Sequence, residues 1–198
     1  MGLIMEESPT GCWTNHHSIV EYNGEWYLFY HHNDYSPEFD KNRSVRIDKI
    51  RFNADGTIQQ VTPTLRGVGV SPACSRIQVD RYSQLYPYGT SIDFVNADNR
   101  WEGWFVTLGK PLASVRYNYV DFSSPVATVT LRVRSAKGAE LEINNSVDHA
   151  KVLATVKIPS TSKWKEVTFP VTEALTGVQD LTLKCLKGAV DIDWIEFK

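Results

Sequence analysis

Asn15-His16-His17-Ser18-Ile19-Val20-Glu21-Tyr22-Asn23-Gly24-Glu25-Trp26-Tyr27-Leu28-Phe29-Tyr30-His31 is the stretch that decides how this chain reads. Asn23-Gly24 accepts positive φ at both turn positions, so the apolar runs on either side close into a tight hairpin. In the second run Trp26, Leu28 and Tyr30 alternate against Tyr27 and Phe29, and both sets are apolar. Such a strand is expected between two other sheets rather than with one face on solvent. A polar loop, 32–42, leads to a third run at 44–52, in which Val45, Ile47, Lys49 and Arg51 alternate against Arg46, Asp48, Ile50 and Phe52. The turn Asn53-Ala54-Asp55-Gly56 then returns the chain into 57–61, which predicts a four-stranded unit.

Residues 63–74, with Pro63, Gly67, Gly69 and Pro72, interrupt the strand pattern and read as a linker. From Ser75 onward short strands recur at regular spacing between turn residues, which predicts an all-β sandwich over 75–198. The clearest runs are 124–134, 140–144, 151–158, 166–171, 180–186 and 190–197, the last alternating apolar with acidic residues through most of its length. No segment holds a helical period.

With 198 residues and 42% apolar content rich in Trp, Tyr and Phe, the chain can bury a sizeable core. A net charge of -2, with Lys and Arg scattered among Asp and Glu, argues against nucleic acid or an anionic membrane as partner. No apolar run approaches the roughly 20 residues of a membrane span, and the first residues lack the basic start and apolar centre of a signal peptide. Cys12, Cys74 and Cys185 match no zinc spacing and read as buried thiols, which leaves the redox compartment open.

The opening hairpin resembles the last propeller blade of family 43 glycoside hydrolases. Three further segments resemble a family 6 carbohydrate-binding module: Arg76-Ile77-Gln78-Val79-Asp80, Ile158-Pro159-Ser160-Thr161-Ser162-Lys163-Trp164 and Asp191-Ile192-Asp193-Trp194-Ile195-Glu196-Phe197. Together these resemblances imply a partial blade at 1–62 and a polysaccharide-binding jelly-roll sandwich at 75–198, with an extracellular or periplasmic setting. The implied ligand is a plant cell-wall polysaccharide of xylan or arabinoxylan type, bound by the C-terminal part of a family 43 hydrolase.

The second resemblance also implies a structural calcium held by Gln78, Asp80 and Asp193. Two oxygen donors two residues apart on one strand and a third on the last strand suit a hard cation, although pairing of the carboxylates with Arg76 or Arg81 is the plainer reading of the spacing. Trp164 corresponds to a sugar-stacking tryptophan, and Trp104, in the segment 100–105 read as a loop, is expected to supply the second aromatic face. Asp191 stands where many sugar-binding members carry Asn, replacing a group that donates and accepts by one that only accepts.

In the blade, His16 and Arg43 correspond to residues beside the metal and the sugar of a family 43 active site. His16 and His17 are read as lying at the opposite end of the hairpin from His31 and His32, which argues against an independent transition-metal site. Glycoside hydrolysis needs a pair of carboxylic acids, and no Asp or Glu here matches the acid and base of that family. Catalytic residues are therefore expected to be none, with Glu6, Glu7, Glu21 and Asp34 on the surface or in turns. Two other readings stay open: a xylosidase or arabinofuranosidase active only when another chain supplies the remaining blades, and a sandwich that binds no sugar. A lone blade with two apolar faces is also expected to form a homo-oligomer through the blade.

Overall fold

The computed structural model describes residues 2–6, 16–33, 43–64, 66–145 and 151–198. It divides into two compact units, Met1–Val68 and Gly69–Lys198. Cys12, Glu7, Asp34 and most of the loop 32–42 lie outside the described residues.

In the first unit β1 (Ser18–Tyr22), β2 (Glu25–His32) and β3 (Ser44–Ile50) form an antiparallel sheet in the order β1-β2-β3. Asn23 and Gly24 have φ of 52° and 77°, the backbone that a two-residue hairpin turn requires. The fourth run forms only a bridge between Phe52 and Ile58. Its continuation leaves the sheet edge, because Val61 donates its N–H to the Ile4 carbonyl (2.7 Å) and Thr64 is tied to Asp48.

One face of this sheet carries a small core of Leu28, Tyr30, Ile50 and Val61, with Ile4, Met5 and Ile58 against it. Asp48 and Arg46 are buried with that face. The Asp48 carboxylate accepts hydrogen bonds from the Tyr30 hydroxyl (2.5 Å), the Thr64 N–H (3.0 Å) and the Thr64 hydroxyl (2.6 Å). Burial pushes its carboxyl above the ordinary carboxylate range, while these bonds and Arg46 pull it back. Tyr30 is likewise raised, chiefly by burial. On the other face Tyr27 and Phe29 are half-buried and Val45 is exposed.

The second unit contains β4 (Ser71–Pro72), β5 (Ile77–Gln78), β6 (Gln84–Leu85), β7 (Thr90–Phe94), β8 (Trp104–Leu108), β9 (Ser114–Asp121), β10 (Thr128–Ser135), β11 (Ala139–Asn144), β12 (Val152–Ile158), β13 (Thr161–Pro170), β14 (Val178–Gly188) and β15 (Val190–Phe197). One sheet runs β13-β10-β15-β8-β7 with β5 also on β15, and the other runs β12-β11-β14-β9-β4 with β6 also on β9. Their inner faces share one core. Val106, Leu131, Ile192 and Phe197 from the first meet Tyr117, Ile143, Leu153 and Leu183 from the second. The all-β sandwich expected from the turn spacing is thus the observed architecture.

The segment 63–74 is held at both ends. Thr64 bonds to Asp48 and to the Gly67 N–H (2.9 Å), whereas Ser71 and Pro72 pair in parallel with Val120 and Asp121. Ala73 then sits in the sandwich core, donating its N–H to Asp121 and accepting from Phe197. Cys185 is buried as expected, but Cys74 is exposed, because it occupies the turn between β4 and β5.

Candidate functional site

Strand parity builds an outward-facing cluster on the five-stranded path. In β8, Val106 and Leu108 enter the core, so Phe105 and Thr107 face away from it; in β10, Val129, Leu131 and Val133 enter, so Arg132 and Arg134 face away. In β15, Val190, Ile192, Ile195 and Phe197 enter, which leaves Asp191 outside opposite both Thr107 and Arg134. The register slips between Arg132 and Val133 because β15 carries one extra residue, Asp193, at that point. The bulge turns Asp193 outward as well, where its carboxylate pairs with Arg132.

These side chains converge on Trp164 of β13. The Phe105 ring meets it edge-on with centroids 5.4 Å apart. The guanidinium of Arg134 lies 4.7 Å from the centroids of both rings, and that of Arg132 lies 5.3 Å from Trp164. Arg134 donates its Nε–H to Asp191 Oδ2 (2.7 Å), while the Thr107 hydroxyl donates to Asp191 Oδ1 (2.7 Å). The Trp164 Nε1 is buried without an acceptor among the described residues. The result is a half-buried tryptophan, met edge-on by the buried Phe105 ring, beside a fixed hydroxyl, a carboxylate and two guanidinium groups. That combination suits a pyranose ring, whose apolar face stacks while polar groups read its hydroxyls.

Of the expected sugar-site residues, Trp164 and Asp191 fall in this cluster, and Trp104 does not meet Trp164. As the first residue of β8, not part of a loop, Trp104 shares parity with Val106 and packs on Phe94 across the β7–β8 pair, with centroids 3.9 Å apart. The ring that meets Trp164 belongs to Phe105. Reading 104–108 as a strand would have separated these neighbours, because adjacent residues face opposite ways. Arg134 was legible as the outward partner of Arg132 around Val133, but its contact with Asp191 links residues 57 apart in sequence. Trp101, from the same segment as Trp104, is 98% exposed on a single turn of 3-10 helix, Arg100–Glu102. Asn96 and Asn99 donate to Glu102 Oε1 (2.8 and 3.1 Å) and pin that turn.

The expected calcium ligands lie close along the chain pairing. β5 places Gln78 opposite Trp194, and the Val79 N–H donates to the Asp193 carbonyl (2.9 Å). Both carboxylates are buried, and both already meet an arginine: Asp193 with Arg132, and Asp80 with Arg81 Nε at 3.5 Å. Burial raises the Asp193 carboxyl above its ordinary value, opposed by the hydrogen bond and charge of Arg132. Among the described residues no group of three or more His, Cys, Asp and Glu comes together as a metal site.

The expectation that the two histidine pairs occupy opposite ends of the hairpin is corrected. With the turn at Asn23-Gly24 and Ser18 opposite Phe29, both pairs lie at the open end, because residues equally distant from the turn are neighbours. His16 donates its N–H to His31 Nδ1 (3.3 Å), and the rings are 5.8 Å apart. Arg43 is exposed just before β3.

A family model, carbohydrate binding module (family 6), matches residues 86–198. The chain belongs to carbohydrate-binding module family 6. This module shares its fold with a family 6 module of Clostridium stercorarium solved in complex with cellobiose, at TM-score 0.59 and 23% identity over 66% of this chain and 97% of that one. A glycoside hydrolase family 43 arabinoxylan arabinofuranohydrolase of Bacillus subtilis, solved in complex with cellotetraose, aligns over 100% of this chain and 44% of its own, at TM-score 0.64 and 22% identity. A β-xylosidase of Xylanibacter ruminicola is 45% identical over 62 residues, covering 30% of this chain and 18% of the xylosidase. The chain spans 18% to 35% of the length of the first curated relatives it matches.

Proposed function

We propose that this chain binds xylan or arabinoxylan through the outward face centred on Trp164, as the carbohydrate-binding part of a family 43 glycoside hydrolase. The observation that carries the reading is the convergence of Trp164, Phe105, Thr107, Arg134 and Asp191, drawn from four strands, on one solvent-facing patch. A half-buried tryptophan bordered by paired polar groups supplies what a sugar site uses, an apolar ring surface and groups that read hydroxyls. The similarity to xylosidases and arabinofuranohydrolases supports xylan as the polymer.

Affinity electrophoresis in soluble arabinoxylan tests the reading. Retardation of the wild-type chain that is lost on Trp164→Ala, with folding intact by circular dichroism, is the expected result. Unretarded wild-type protein would leave the sandwich a structural module. A structural calcium belongs to the same proposal: Gln78, Asp80 and Asp193 would hold it, and its chemistry would be to neutralise two buried carboxylates where β5 meets β15. It would compete there with Arg81 and Arg132.

A further inference from the structure

Arg134 lies against both rings of the aromatic pair. Its guanidinium is 4.7 Å from the centroids of both Phe105 and Trp164, and Asp191 holds it there through Nε alone. The other oxygen, Oδ1, accepts from the Thr107 hydroxyl. The two Nη groups of Arg134 carry no hydrogen bond to any described residue, and the side chain is 33% exposed. A guanidinium clamped at one edge and packed against two rings is preorganised, and its open edge presents the planar fork that matches a carboxylate in two parallel hydrogen bonds.

Resting on the proposed xylan-binding role of this face, we infer that its preferred ligand is an acidic polysaccharide, a xylan chain bearing uronic acid side groups, and that Arg134 is the residue that reads the carboxylate. The face carries no excess of cations. Arg132 and Arg134 are set against Glu166, Asp191, Asp193, Glu196 and, opposite Phe105, Asp93, while Lys165, paired with Val133, belongs to the other face. Long-range attraction therefore contributes little, and selectivity comes from the local fork. Arg132 does not compete for the role, because it is engaged with the buried Asp193 carboxylate.

The experiment compares glucuronoxylan with the same polymer after its carboxyl groups have been reduced to alcohols, so that the backbone is identical and only the anion is lost. Wild-type protein is expected to bind the acidic form more tightly by about tenfold, the effect of one charge-assisted hydrogen bond. Arg134→Gln should bind both forms equally, and Arg134→Lys, which keeps the charge without the fork, should recover only a minor part of the preference. Equal wild-type binding to both polymers, or a preference that survives Arg134→Gln, would overturn the inference while leaving xylan binding in place. Wild-type protein that binds neither polymer would refute the binding role itself.

Discussion

Asp191→Asn isolates the contact that distinguishes this site. The carboxylate uses one oxygen for Arg134 and the other for Thr107, both at 2.7 Å. An amide can keep its oxygen on the Arg134 Nε–H and turn its NH2 toward Thr107, whose hydroxyl rotates from donor to acceptor. Both bonds then survive, and only the charge is lost. The Thr107 bond then changes from one to a charged group, about 1.5–3 kcal/mol, to a neutral one, about 0.5–1.5, a difference of roughly 1 kcal/mol, while the Arg134 bond stays charge-assisted by the guanidinium. The partners are 33% and 23% exposed, so solvent screening reduces it. We expect a loss of about 0.5–1 kcal/mol for Asp191→Asn in urea unfolding of the sandwich, and a coupling of similar size with Arg134→Gln in a double-mutant cycle. Because the new amide donor is spent on Thr107, retention on neutral arabinoxylan should not rise. Strictly additive single mutants would show that the Arg134–Asp191 pair is not formed in solution, and the account of Arg134 as a clamped fork would fall with it.

Other outcomes follow from the same geometry. Trp104→Ala should lower retention on arabinoxylan less than Trp164→Ala does, since its ring packs on Phe94; the reverse order in affinity electrophoresis would move the site to the β7–β8 end. Asp48→Ala strips the acceptor from Tyr30 and Thr64 and should destabilise the first unit by about 2–4 kcal/mol, seen as faster hydrogen exchange in β2 and β3; unchanged protection there would refute the clamp. Burial raises the carboxyls of Asp48 and Asp193, so the folded state holds those protons more tightly than the unfolded chain does. Their contribution to stability is full below the ordinary carboxylate range and is lost as pH rises through the raised values, and urea midpoints measured upward from about pH 4 should show Asp48→Asn flattening this fall. Calcium should raise the melting temperature of the sandwich, and Asp193→Ala should abolish that gain; a melting temperature indifferent to both calcium and chelator would exclude the site.

Local chemistry determined much of this protein without tertiary help. Asn23-Gly24 marks a turn with two positive φ values, and the apolar-acidic pattern of 190–197 marks a strand, which is buried on both faces for most of its length because β10, β8 and β5 flank it. The marker residues of the sandwich are short-range patterns too, which is why Trp164 and Asp191 were legible. Other features depend on pairings that no local window contains. Residues 114–121 are not among the clearest runs of the sequence, yet they form a strand once β14 lies beside them, with Tyr119 at φ 60° within it. Whether Trp104 or Phe105 faces Trp164 is a question of parity, and parity is fixed only when β8 pairs with β15. The bulge at Asp193 decides that its carboxylate meets Arg132, and the register of β10 on β15 decides that Asp191 meets Arg134. A sequence specifies which side chains are available along each strand; the registers of strands far apart in the chain decide which of them share a face, because a shift of one residue exchanges the two faces of a sheet.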